Sequence, residues 1–240
     1  EEVNVATLAQ RNTRKFLSLW EKLGVHFDGW AATTDERHKA CVQKILTTLH
    51  DEGQLYKKAY RGFYSVRQEQ YLTEKDRNEN GEFGSEWGEV IELEEENWYF
   101  KLSEHAEWLK EVVTSGELGI VPDFRRAEVL NAIERAGETD LCISRPKERL
   151  HWGIEIPFDP DFVTYVWFDA LLNYISALGY GGDDDLFQTW WPHSNHLLGK
   201  DILTTHSVYW TTILLALGVP LPKSIIAHGW WLRGEAKMSK

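Results

Sequence analysis

The spacing of apolar residues changes character along the chain and divides it into three stretches. In residues 10–24, Phe16, Leu17, Leu19, Trp20 and Leu23 recur at near-helical spacing, and Gly24 is a plausible stop. Thr34 or Asp35 then caps a second helical run, whose stripe is Cys41, Ile45, Leu46 and Leu49 and whose end is Gly53. From Tyr56 the period shortens to two. YKKAYRGFYSVRQEQYLT alternates aromatic and polar residues, RNENGEFGSEWGE is rich in turn formers, and VIELEEENWYF reads as another strand. Residues 54–100 are therefore expected to form a small antiparallel β insert. Helical spacing returns at 102–114 and 124–136.

The last third alternates. HWGIEIP and TYVWF read as strands, and DALLNYISALG as a helix capped by Asp169 and stopped by Gly179. HLLG reads as a buried strand, DILTTHSVYWTTILLALG as a helix and SIIAHGWW as a further strand. Strand–helix alternation predicts a parallel α/β sheet. Ligands of such sheets sit beyond the carboxyl ends of strands, so the residues after VW, LLG and IIAHG are the candidate site.

After the first strand, Trp167, Ala170 and Tyr174 leave a small residue between two aromatics, with room for a modest apolar ligand; plain core packing is the alternative. After the second, Gly199 and Asp201 occupy a turn into a helix. The glycine permits close backbone approach and the acid suits ribose hydroxyls, although Asp201 as a simple cap is the alternative. Ile202 and His206 follow one helical turn apart. After the third, His228 and Gly229 precede a loop ending Lys237-Met238-Ser239-Lys240, whose lysines suit a polyphosphate unless they are a solvated basic tail.

Composition narrows the classes. The 240 residues, 42% apolar and 27% charged, suit a soluble globular protein, and the 12 Trp supply a large buriable surface. A net charge of −12 argues against general phosphate gripping, and residues 79–111 carry eleven Glu against Lys101 and Lys110. Cys41 and Cys142 belong to no CxxC, so neither a disulfide framework nor a thiolate zinc site is expected. With no membrane-length apolar run and no secretory signal, the expectation is a cytoplasmic protein without membrane contact. The lack of an initial Met and the ending at MSK suggest a fragment.

These turns together resemble the catalytic region of the methionyl-tRNA synthetases, a class I aminoacyl-tRNA synthetase family. TTDERHK (33–39), RRAEVLN (125–131), YVWFDALLNYISALGYG (165–181), LLGKDI (197–202) and AHGWWLRGEAKMSK (227–240) carry the likeness. The resemblance implies an α/β fold, the second half of a Rossmann-like catalytic domain. Residues 1–53 would lead into the 54–100 insert, and 101–240 would end in the KMSK loop. It implies methionine, ATP (with Mg2+) and tRNA(Met) as partners. By the same likeness Trp167, Ala170, Tyr174, Ile202 and His206 would line a methionine pocket. Gly199 and Asp201 would meet ribose, and His228, Gly229 and Trp231 adenine, while Lys237 and Lys240 would act on the phosphates. Arg145, in CISR, would reach the same site.

Departures from the pattern are informative. No HIGH-type tetrapeptide is present, so the resemblance places that half before Glu1, and the anticodon-binding domain after Lys240. The fragment alone is then expected to be inactive. Ser65 and Gln68 stand where many relatives have a CxxC pair, so no structural zinc is expected. Thr205 replaces a frequent Phe, and Leu171 an occasional Pro. A noncatalytic module derived from such an enzyme, or a class I synthetase for another aliphatic amino acid, are the competing readings. The lack of a large editing insert weighs against the latter.

Overall fold

The computed structural model describes residues 4–67, 70–72, 74–78, 80–234 and 236–238. The chain forms two compact units, Glu1–Ala32 and Thr33–Lys240. The first unit is α1 (Val5–Lys22), opened by the Asn4 side chain accepting from the Ala6 N–H at 2.9 Å. Beyond it Trp20 meets Phe27 and Trp30 edge-on, with ring centres 5.9 and 5.7 Å apart.

The second unit begins with α2 (Glu36–Asp51), which turns His38, Cys41, Val42, Ile45, Leu46 and Leu49 into the core. Cys41 is a core group. Burial pushes its thiol up to about 11, so it is not a reactive thiolate at neutral pH. Then come β1 (Leu55–Ser65), β2 (Gln70–Leu72) and β3 (Val90–Phe100), followed by α3 (Ala106–Ser115), β4 (Gly119–Val121), α4 (Arg126–Ala136) and β5 (Leu141–Cys142). The period-two stretch forms the expected antiparallel sheet, in the order β2-β1-β3-β5. Its β1–β3 ladder runs unbroken from Leu55 opposite Phe100 to Ser65 opposite Val90. The sheet reaches past residue 100, because β5 adds to β3 through Tyr99–Cys142 and Phe100–Leu141.

Strands β6 (Ser144–Pro146), β7 (Glu155–Ile156) and β8 (Asp159–Thr164) form a second antiparallel sheet, followed by α5 (Val166–Ser176), α6 (Asp185–Trp190) and β9 (Asn195–Gly199). After β9 come α7 (Thr211–Ala216), β10 (Ser224–His228), β11 (Leu232–Arg233) and β12 (Ala236–Lys237). Among the described residues, only β4-β10-β9 is a parallel sheet.

Two expectations change here. TYVWF is not a strand end. The strand stops at Thr164, Tyr165 caps α5, and Val166 to Phe168 are helical, because that winding drives Phe168 into the core at 1% exposure. Asp169 is consequently inside the first turn and is not the cap. The parallel sheet also includes a strand with no sequence signal, the three-residue β4. The core joins α2 and α5 to Phe100, Trp191 and Trp210, whereas Trp152 and Trp190 lie on the surface.

Candidate active site

The carboxyl ends of β9 and β10 lie side by side, with His228 paired to Gly199. Gly199 has ordinary extended backbone, so a larger residue there would be felt only by the neighbouring side chains. A Cβ at that position would stand 2.7 Å from Asp201 Oδ1 and 3.9 Å from His228 Cε1. Three sequence-predicted residues thus converge on one turn. A tight 3₁₀ turn, Lys200–Ile202, leaves the Asp201 side chain exposed. The exposed His228 donates Nδ1–H to the Gly229 carbonyl at 2.7 Å, which leaves Nε2 as an acceptor.

The helix expected after Asp201 is interrupted by a π-helical segment, Thr205–Trp210, before α7. The hydroxyls of Ser207, Thr211 and Thr212 bond back to the carbonyls of Leu203, Ser207 and Val208 at 2.8, 2.8 and 2.9 Å. Such back-bonding competes with the regular ladder, and π segments concentrate at functional sites. The segment carries His206, 3% exposed.

His206 Nδ1 lies 2.9 Å from the Ile202 carbonyl, which can only accept, so the proton is on Nδ1. Nε2 then accepts from the Tyr174 hydroxyl at 2.7 Å. Behind Tyr174, at a ring-centre distance of 4.4 Å, stands His196, whose Nε2 accepts the Trp210 indole N–H at 3.0 Å. Burial lowers the pKa of His206, against the opposing Ile202 bond, and pushes that of His196 down to about 4, helped by neighbouring His206. At neutral pH the wall is uncharged and aromatic, a surface suited to an apolar or thioether side chain.

This burial has a measurable cost in acid. An unfolded chain protonates His196 near pH 6.5, whereas the folded site refuses the proton until about pH 4. Stability is therefore full above pH 6.5 and falls as the pH drops toward 4. We expect a loss of about 2–3 kcal/mol between pH 7 and 4.5. Urea unfolding followed by tryptophan fluorescence measures it, and His196→Gln, whose side-chain carbonyl still accepts from Trp210, should remove most of that slope.

Trp167 and Ala170 lie on α5, half-buried like Ile202. Trp231 is 76% exposed, and Lys200 Nζ sits 4.0 Å from the centre of the adjacent Trp230 ring. The loop beyond folds back on itself as a hairpin, with Leu232 opposite Lys237 and the Met238 N–H bonded to the Trp231 carbonyl at 2.9 Å. Lys240 lies outside the described residues, as does Gln68. Arg145 stacks 4.0 Å over Tyr165, the cap of α5, and donates to the Ser144 carbonyl at 2.8 Å. Spacing alone did not mark His196 and Trp210. Nor did it mark Arg125, whose Nε–H donates to the Ala227 carbonyl at 3.2 Å and braces the end of β10.

A glycine–acid turn and a histidine meet at the ends of paired parallel strands, where α/β sheets place their ligands, and the helix that follows carries a neutral aromatic cluster. Residues 1–81 and 86–240 match the family described as tRNA synthetases class I (M), and the chain belongs to that family. The methionine–tRNA ligase of Clostridium acetobutylicum is 43% identical over 223 residues, which are 92% of this chain and 34% of the relative. That of Bacillus subtilis is 37% identical over 251 residues, covering 100% of this chain and 38% of the relative. The chain thus spans a little over a third of the length of these relatives. The crystal structure of Mycobacterium tuberculosis methionyl-tRNA synthetase bound by methionyl-adenylate superimposes with a TM-score of 0.84 at 35% identity. The match covers 99% of this chain and 47% of that one.

Proposed function

We propose that this chain works within a longer methionine–tRNA ligase and supplies its methionine side-chain pocket and one wall of its ATP site. A methionine carboxylate oxygen attacks the α-phosphorus of ATP. The bond to the bridging oxygen breaks, releasing pyrophosphate and leaving methionyl-adenylate, and the methionyl group then passes to the 3′ end of tRNA(Met). Trp167, Ala170, Tyr174, Ile202 and His206 take the thioether side chain. Gly199 and Asp201 take the ribose, and His228, Gly229 and Trp231 the adenine. Lys237 and Lys240 take the phosphates, with Mg2+ arriving on ATP. Arg145, at the head of α5, faces the same chemistry.

The observation that carries this reading is the hydrogen bond from His206 to the Ile202 carbonyl. It ties the neutral aromatic wall to the residue next to Asp201, so the pocket and the nucleotide turn share one backbone segment. ATP–pyrophosphate exchange on the intact synthetase, with methionine, leucine, isoleucine and valine in turn, tests it. Methionine alone should support exchange. Exchange driven by another aliphatic amino acid would reassign the specificity, and no exchange would leave a noncatalytic module.

We also propose that the 54–100 insert folds without metal. Its Ser65 is buried, with the hydroxyl donating to the Trp87 carbonyl at 2.5 Å, a packing role that needs no ion. Among the described residues no group of three His, Cys, Asp or Glu is placed to hold a metal. Elemental analysis finding one tightly held zinc per chain would contradict this. No helix among the described residues is long and apolar enough to cross a membrane. From the likeness to bacterial methionine–tRNA ligases we propose a cytoplasmic enzyme.

A further inference from the structure

His38, on α2 and 2% exposed, is the centre of a hydrogen-bonded group that no step of the proposed reaction uses. Its Nε2 lies 2.6 Å from Asp169 Oδ1, and its Nδ1 lies 2.7 Å from Ser176 Oγ. A carboxylate only accepts, so Nε2 carries the proton and donates to Asp169. The Ser176 hydroxyl donates to Nδ1, since its other acceptor, the Asn173 carbonyl, is farther away at 3.3 Å. Serine, histidine and aspartate are also the parts of a hydrolytic relay. Here Ser176 is 2% exposed, so no substrate reaches it and the group is not a nucleophile.

The arrangement acts on α5 instead. Asp169 and Ser176 are seven residues apart, so one imidazole grips two turns of a single helix face. At about 100° per residue, Trp167, Ala170 and Tyr174 fall roughly 100–160° around the helix from Asp169, away from the gripped face. The apolar contacts of Phe168, Leu172 and Ile175 bury the helix but are not directional, whereas hydrogen bonds to a fixed ring select one rotation and one register. The charge-assisted Asp169 bond, with the carboxylate only 18% exposed, is the stronger of the two.

We propose that His38 is a positioning residue for the methionine pocket: by bridging Asp169 and Ser176 it sets the rotation of α5 and hence the placement of Trp167, Ala170 and Tyr174. This rests on the methionine-activating function proposed above, and its test separates the two. In the intact synthetase, His38→Ala should raise the methionine KM about tenfold while the ATP KM moves less than about twofold. His38→Gln should recover most of the loss, because a glutamine amide N–H can occupy the Nε2 position and still donate to Asp169. A merely structural role would lower the thermal midpoint or the active fraction and leave both KM values in place, and that result would overturn the proposal. If His38→Ala does not fold, Ser176→Ala removes one hydrogen bond. A methionine KM raised about threefold then supports the proposal, and an unmoved one overturns it.

A second readout does not depend on the reaction. In the 240-residue chain, the 15N resonance of His206 Nε2 reports its hydrogen bond from Tyr174. His38→Gln, which keeps the bond to Asp169, should largely preserve that resonance, and His38→Ala, which removes both bonds, should shift it toward the value of an unbonded nitrogen. An unmoved signal in His38→Ala would overturn the positioning role even if wild-type enzyme fails to exchange with methionine. That failure, taken alone, would overturn only the proposed function.

Discussion

In the intact synthetase, Lys240→Ala should lower kcat for methionine-dependent pyrophosphate exchange by about 10²–10³ and change the ATP KM far less. Negative charge moves toward the departing pyrophosphate only as the α–β phosphate link breaks. A cation that meets that charge late stabilises the transition state more than bound ATP. An ammonium is a compact point charge suited to phosphate oxygens, and Lys237 shares the assignment. The backbone at Lys237 is held in a hairpin against Leu232. Steady-state exchange at varied ATP checks this. A raised ATP KM with kcat intact would make Lys240 an ordinary phosphate anchor.

Tyr174→Ala should act in the opposite sense, raising the methionine KM by about ten- to a hundredfold with a smaller change in kcat. Two losses add. The pocket forfeits an aromatic face that contacts the side chain equally before and during reaction, and His206 Nε2 loses its donor at 2.7 Å inside a buried site. Tyr174→Phe divides them, because it keeps the ring over His196 and removes only the hydroxyl. It should cost less than half of the alanine effect on a logarithmic scale. An equal effect from both variants would place the whole contribution in the hydroxyl–imidazole bond, and equal falls in kcat would show that Tyr174 contacts the reacting centre.

The parts of the site that were legible in the sequence are those built within a few residues of one another. Gly199 and Asp201 could be recognised together because a tight turn brings i and i+2 close, and a Cβ added at Gly199 would stand 2.7 Å from that carboxylate. Ala170 and Tyr174 could be placed on one helix face for the same reason. The helix start was misread at Tyr165–Phe168, since aromatic and β-branched residues favour strands locally, and only the core, by receiving Phe168, winds them into α5. A regular helix was expected over residues 201–218, yet the hydroxyl back-bonds of Ser207, Thr211 and Thr212 accompany a π segment.

What the sequence by itself determined was the set of local periods: two amphipathic helices, the β1–β3 alternation, the glycine–acid turn and the family likeness of its motifs. The tertiary structure alone decided which of these meet. Tyr174 and His206 are 32 residues apart, and His38 and Asp169 are 131 apart. β4 is a strand only because β10, a hundred residues later, pairs with it. Spacing within a window says which face of an element is apolar, because the helix and strand repeats are set by backbone geometry. It carries no information about which buried donor faces which acceptor across the core. That choice is made by packing the elements together, where most buried polar groups find a partner.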